Sequence, residues 1–427
     1  MKNNAPEIPP KHQSNSLHLS VLLLAIFIAL YVIAARATDV ESAPRASKPL
    51  LPVLPPRVAA AALEALGRTL FFDNNLSASH KMSCASCHDP LHAYGPANAK
   101  SVQLGGADLQ QQGTRAAPSL RYLQNVPAFT EHYYDEDFDE SVDNGPTGGR
   151  TWDGRAPTAH DQAGIPLLSP FEMANTDIAD VVATLQHANY AQEFRRIFGS
   201  TIFNDPQSAF KAASLAFEVF QQNAAEFYPY SSKYDAVLRG QSKLSAAEQR
   251  GLELFNDEQK GNCAHCHPSR IGSNGAFPAF SDFGYIAIGV PRNRELPANT
   301  DVNFHDLGLC GPYRRDLSDH ADYCGAFRTP TLRNVALKQA FFHNGFFHTL
   351  EDVMNFYNER DIHPEKFYPR AGDGSIEAFD DLPAQYHENI NVEPPFDRGL
   401  GATPPLSQDE IKEIIAFMKT LTDGYHP

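Results

Sequence analysis

Tryptophan, methionine and cysteine are scarce in this chain, at one, five and six residues out of 427. Basic charge is short too: 35 Lys and Arg face 51 Asp and Glu, a formal net charge of −16. A chain so acidic repels nucleic acid and anionic membrane surfaces, which excludes both as partners, yet it can steer a basic protein towards itself. Strand-like alternation is scarce and helical periodicity frequent, which reads as a mainly α fold. No apolar run long enough to cross a bilayer follows Ala37. What is present is a globular composition, 42% hydrophobic and 20% charged. The length is more than one ordinary core accommodates, so two or three compact units are expected.

The one long apolar run, Leu19–Ala35, follows a polar leader with Lys2 and Lys11 and precedes Ala35-Arg36-Ala37, a small-residue pattern of the kind signal peptidase cuts. Residues 1–37 therefore read as a signal peptide, with an uncleaved N-terminal membrane anchor as the alternative. Both place residues from Thr38 onward outside the cytoplasm. The Pro-rich stretch 38–57 reads as a tether.

Four of the cysteines fall in two copies of one pattern, Cys84-Ala85-Ser86-Cys87-His88 and Cys263-Ala264-His265-Cys266-His267. Two thiols three residues apart can both form thioethers to the vinyl groups of one haem, and the next residue presents its imidazole to the iron. Random shuffling of this composition would give about 0.003 such matches, and there are two. Structural zinc needs four ligands closed tetrahedrally and gives no reason for a His after each pair. A thioredoxin-type pair needs a βαβ setting that neither copy has. The sequence thus predicts two covalently bound haem c groups, held by Cys84, Cys87, Cys263 and Cys266, with His88 and His267 as axial ligands. Cys310 and Cys324 flank a short Gly/Pro-bearing loop. In an exported protein a disulfide is expected there, worth roughly 3 kcal/mol in the loop-entropy picture.

Each haem motif follows a G-x-x-L-F segment, Gly67–Phe71 and Gly251–Phe255, which marks an internal repeat. Residues 58–240 and 241–427 are read as two haem domains. Helical patterns cover Val58–Phe72, Ile178–Phe198, Gln207–Asn223, Ser245–Phe255, Thr349–Asn358 and Ser407–Leu421. Ser245 with Glu248, and Ser407 with Glu410, have the spacing of a capping box. Leu104–Arg150 and Phe277–Cys324 read as long loops of the kind that cover a site.

In order along the chain, LGRTLFFDNNLSASHKMSCASCHDP, TWDGRAPTAHDQAGIPLLSPFEM, the second C-x-x-C-H, FRTPTLRNVAL and FFHNGFFHTLEDVMNFYN resemble the bacterial di-haem cytochrome c peroxidases, a family that includes the MauG-like enzymes. The resemblance runs from about Ala61 to Leu421. It implies two packed, mainly α cytochrome c-like domains with long loops, and an active site at the first haem. It makes Trp152 the bridge between the haems and places Gln162 and Glu172 on the open side of the first. A carboxylate there can take a proton from the near oxygen of hydrogen peroxide and give it to the leaving one, while an amide orients the molecule.

The family pattern is not followed everywhere. The loop that often supplies a blocking His corresponds to Ser101–Gln112, which has none, so the first haem is expected to be open without reductive activation; His92 is read as structural. The sixth ligand of the second haem falls on Tyr357, where the better-known peroxidases have Met and MauG has Tyr. A phenolate would favour oxidised iron. The family's calcium positions fall on Ala116, Lys338 and Ala340, which puts calcium in doubt. His343 lies in a family motif with no role assigned. The acidic segment Glu131–Asp143 reads as a solvated loop or a docking site for a basic redox protein. The resemblance implies an oxidoreductase that reduces hydrogen peroxide with electrons from a small periplasmic cytochrome c or cupredoxin. The alternatives are a MauG-like oxidase that modifies a partner protein through a high-valent haem, and a plain electron-transfer cytochrome. Monomer and homodimer both stay open.

Overall fold

In a computed structural model of the protein, residues 60–134 and 141–426 are described. The apolar run Leu19–Ala35, the tether and the centre of the acidic segment lie outside them. Among the described residues no helix is long and apolar enough to cross a membrane.

The fold is mainly α. Helix α1 (Ala60–Phe71) precedes the first haem motif. Helices α2 (Ala159–Leu168), α3 (Ile178–His187), α4 (Ala191–Phe198), α5 (Pro206–Gln221) and α6 (Ala224–Phe227) follow it. The second half is built on α7 (Lys233–Leu238), α8 (Ala246–Asn256), α9 (Leu350–Glu359) and α10 (Gln408–Lys419). Two antiparallel ribbons of two residues per strand complete the regular structure. In one, β1 (Leu104–Gly105) pairs with β2 (Gln111–Gln112); in the other, β3 (Tyr285–Ile286) pairs with β4 (Phe327–Arg328), Tyr285 opposite Arg328.

Two separate apolar cores account for the two halves. The first gathers Leu66, Leu70, Val181, Leu185, Phe194, Ile197 and Phe220 from α1, α3, α4 and α5. The second gathers Leu254, Phe255, Phe356, Ile411, Ile414 and Phe417 from α8, α9 and α10. The first ends at Phe227 and the second begins at Tyr234. The repeated G-x-x-L-F segments do the same work in each. A Cβ on Gly67 would stand 1.9 Å from the Ala216 carbonyl oxygen of α5, and one on Gly251 would stand 1.9 Å from that of Glu413 in α10. Only glycine lets those helix pairs approach so closely, and the Leu and Phe that end each segment are then buried.

Both expected capping boxes are formed, Ser245 with Glu248 and Ser407 with Glu410. The single helix expected over Ile178–Phe198 is instead two. Its backbone turns extended at Ala188, next to the turn-forming Asn189, and the break buries Phe194 and Ile197 against the core. Helix α2, which carries Gln162, was not anticipated, because Gly164 and Pro166 interrupt its ten residues. Thr158 caps it by accepting from the Asp161 N–H.

Charged contacts join the halves. Asp423, near the C-terminus, accepts from Arg121 at 2.9 Å and from the Tyr122 hydroxyl at 2.6 Å. Arg115 donates twice to Asp306, at 2.6 and 2.7 Å, and once to Asp153 at 2.7 Å.

Candidate functional site

Each C-x-x-C-H opens on a short 3-10 turn, Cys84–Ser86 and Cys263–His265, which sets both thiols of a pair and the following His on one loop. None of these four cysteines is in a disulfide, whereas Cys310 and Cys324 form the expected one. Before haem attachment, burial would hold each of the four thiols up to about 12 and so neutral. The two imidazoles are held alike. His88 Nδ1 lies 3.0 Å from the Tyr94 carbonyl oxygen and His267 Nδ1 lies 2.8 Å from that of Phe280. A carbonyl only accepts, so Nδ1 carries the hydrogen and Nε2 keeps its lone pair, the arrangement an iron ligand needs. Burial lowers the pKa of both rings, that of His267 to about 4, which keeps them neutral.

The second pair opens on a cavity of about 380 Å³, within the range of roughly 300–1,000 Å³ usual for cofactor sites. Phe255, Phe342, Met354, Tyr357 and Phe396 line it together with Cys263, Cys266 and His267. An apolar slot with two thiols and a neutral imidazole on its wall fits a haem. No group of three or more His, Cys, Asp or Glu that could hold a metal ion comes together among the described residues, so neither Cys pair sits in a four-ligand zinc cage.

Glu172 lies near the first pair. Its charge is close enough to raise the Cys84 and Cys87 thiols. The side chain is accessible, yet surrounded closely enough that desolvation holds its carboxyl above the usual range, against the opposing pull of Ser169 and Arg155. The loop that lacks a His positions it: Gly106 N–H donates to the Glu172 carbonyl at 2.7 Å, and a Cβ on Gly105 would stand 2.3 Å from the Phe171 carbonyl oxygen. Gln162 sits half-buried at the start of α2, and the turn that ends this helix leads directly to Glu172.

Trp152 is 9% exposed and lies where the halves meet. Its indole N–H donates to the Ala116 carbonyl at 2.8 Å, and its own carbonyl accepts from Arg328 N–H of β4 at 3.0 Å. It also lines the second cavity. Tyr357 projects from α9 into that cavity, stacked on Phe396 with ring centroids 5.4 Å apart. Burial, with the nearby Cys266 and Cys263, raises its phenol well above the ordinary value.

Met354 was not singled out from the sequence. It is buried, one helical turn before Tyr357, and its thioether lines the same cavity; the shared face of α9 was the available signal. Asp282 was also missed. It stands beside Cys266, and desolvation raises its carboxyl to about 6 although the side chain is accessible. His92 Nδ1 contacts Asp89 Oδ2 at 2.9 Å, consistent with a structural role.

Ala116, Lys338 and Ala340 do come together, around a crevice of about 20 Å³ whose lining includes Lys100 but no Asp or Glu. Two lysines and no carboxylate in the lining do not fit a divalent cation.

Comparison with known proteins finds one family and several relatives. The family described as di-haem cytochrome c peroxidase matches residues 61–243. The methylamine utilization protein MauG of Paracoccus denitrificans is 34% identical over 376 residues, covering 86% of this chain and 90% of that protein. The cytochrome c551 peroxidase of Nitrosomonas europaea is 26% identical over 417 residues, covering 95% and 90%. Among solved structures, the di-haem peroxidase BthA of Burkholderia thailandensis superposes with a TM-score of 0.76 at 36% identity, covering 86% of this chain and 89% of that one.

Proposed function

Since the chain belongs to the di-haem cytochrome c peroxidase family, a family of oxidoreductases carrying two haem c groups, we propose that it reduces hydrogen peroxide to water. Cys84, Cys87 and His88 would hold the haem that supplies the peroxide-reducing iron, and Cys263, Cys266 and His267 would hold the haem that supplies the entry point for electrons from a small cytochrome c or cupredoxin. When bound, the haems supply the iron that receives peroxide and relays the electrons. The protein's residues supply the protons and the geometry.

Glu172 carries this reading: a desolvated carboxyl beside Cys84 and Cys87, fixed through its backbone by Gly106. Its raised pKa brings it closer to neutral pH, where a group that first accepts and then returns a proton works best. Gln162 orients peroxide with an amide that carries no competing charge. Each turnover consumes two electrons and two protons for two waters. Trp152 is the electron bridge; its main chain is pinned to β4 of the second half and its indole to Ala116 of the first. The net charge of −16 suits a basic electron donor. The Cys310–Cys324 disulfide suits an oxidising compartment, here the periplasm. We divide the haem domains between Phe227 and Tyr234, where the cores part, a few residues before position 240. No divalent cation is proposed at Ala116 and Lys338.

A second reading is favoured by Tyr357 on the wall of the second cavity and by the 34% identity to MauG. A phenolate on the second iron would disfavour electron uptake from a high-potential carrier and favour sharing of oxidising equivalents, as an oxidase of a partner protein requires. Steady-state turnover of peroxide with a reduced cytochrome separates the two. Rapid turnover supports the peroxidase. Negligible turnover with a long-lived oxidised state after peroxide addition supports the oxidase.

A further inference from the structure

Residues 341–347 of the second half close into a hairpin. Phe341 N–H donates to the Phe347 carbonyl at 2.9 Å, and the chain turns through Phe342 and Gly345 with φ of 64° and 65°. One side of the hairpin belongs to the second haem site. Phe341, Phe342 and His343 line the cavity beside His267, and the Phe342 ring centroid lies 5.9 Å from that of Tyr357. The tip meets the first half. A Cβ on Gly345 would stand 2.2 Å from the Ser101 carbonyl oxygen and 2.6 Å from its Cα, so only glycine seats there.

Polar contacts close this seat. The Ser101 hydroxyl donates to Glu295 Oε2 at 3.0 Å. Asn293 ties Glu295 back to the hairpin: its side-chain oxygen accepts from Glu295 N–H at 3.0 Å, and its amide donates to the Asn344 carbonyl at 2.9 Å. Ser101, Asn293 and Asn344 are all buried, so water does not compete for these bonds. A second crossing lies one residue back on the hairpin, where the His343 carbonyl accepts from Ala116 N–H at 2.7 Å. Ser101 opens the loop that leads to Glu172. That loop is braced: the Gln112 side chain donates to the Val102 carbonyl at 2.9 Å, and Leu104 of β1 pairs with Gln112 of β2. Gly105 and Gly106 then hold the main chain of Phe171 and Glu172. From the hairpin to Glu172 each link is a buried side-chain bond or a main-chain contact.

We infer that the hairpin 341–347 is a positioning element of the first haem site: seated on Ser101, it fixes the loop that aims Glu172. This rests on the acid–base role proposed above for Glu172 and adds what holds that residue in place. Gly345, Ser101 and Glu295 are positioning residues; they act through the loop and do not touch peroxide. The F-F-H-N-G motif thereby has a use: the segment that walls the second cavity also braces the first site.

The test uses the exported holoprotein, with Ser101→Ala, Gly345→Ala and Glu172→Gln variants and the combination of Ser101→Ala with Glu172→Gln. Intact mass first counts the haems. Stopped-flow absorbance then gives the rate of reaction with peroxide. Infrared difference spectra give the carboxyl band of Glu172, assigned as the band that Glu172→Gln removes. Misplacing a reacting group by about 1 Å costs up to about 100-fold, so Gly345→Ala is expected to slow the reaction about 10- to 100-fold. Ser101→Ala introduces no clash and removes one hydrogen bond. It is expected to slow the reaction about three- to tenfold and to shift the Glu172 band, and it decides the matter where Gly345→Ala fails to mature. In the Glu172→Gln background Ser101→Ala is expected to cost nothing further, because it acts through that carboxyl. A Ser101→Ala protein with two haems, an unchanged rate and an unmoved band would overturn the inference and leave the peroxidase reading standing, and so would an equal loss of rate in both backgrounds. A wild-type chain with two haems that does not react with peroxide would overturn the reading on which the inference rests.

Discussion

Replacing Glu172 by Gln tests the proposed chemistry at one atom. The substitution keeps the volume of the side chain and removes its ability to carry a proton. The position should survive, because it is fixed through the main chain: the Gly106 N–H bond to the Glu172 carbonyl and the close packing of Gly105 do not involve the carboxyl. A positioned general acid–base is worth about 10²–10⁴ in rate, or roughly 2.7–5.5 kcal/mol of barrier at 1.36 kcal/mol per tenfold. Stopped-flow absorbance at the haem band, following the reaction with peroxide, should therefore slow at least about 100-fold, with both haems retained by mass. The pH dependence adds a signed check. Desolvation by the groups around it holds the Glu172 carboxyl above its ordinary value of 4.5, accessible though the side chain is. The base form is the working one, so the wild-type rate should fall as pH drops through that raised pKa, and the variant should lose this limb. A variant within about threefold of wild type, with the acid limb intact, would remove Glu172 from the mechanism.

Tyr357→Phe should change the absorption spectrum of the second haem and leave the first unaltered; identical spectra would mean that the phenol is not a ligand. Gly251→Ala would place a methyl 1.9 Å from the Glu413 carbonyl oxygen. Overpacking of this kind costs about 1–3 kcal/mol, visible as a lowered thermal midpoint, and an unchanged midpoint would show that α8 and α10 can separate freely. Asp235→Ala would leave Arg333, 1% exposed and now held by two 2.9 Å bonds to that carboxylate, without its counter-charge. Breaking such a pair costs about 3–5 kcal/mol in denaturant unfolding, and a loss below about 1 kcal/mol would contradict its burial.

The haem-binding residues were legible because thioether formation needs two thiols and an imidazole at a fixed short spacing, whatever the fold around them. The paired cores were legible through the repeated glycines, since a helix that must touch a neighbour's carbonyl admits no other residue. Helix α2 was not legible: Gly164 and Pro166 lower its intrinsic propensity, and its packing against α5 overrides them. The motif around His343 gives it no role, and the lack of a partner for its Nε2 appears only in three dimensions.

An electron paramagnetic resonance spectrum of the fully oxidised, mature protein addresses the central claim most directly. Two haem irons in unequal surroundings, the His88 iron with an open face and the His267 iron closed by a protein ligand, predict one high-spin and one low-spin ferric signal of equal weight. Two low-spin signals that peroxide leaves unchanged would contradict the account.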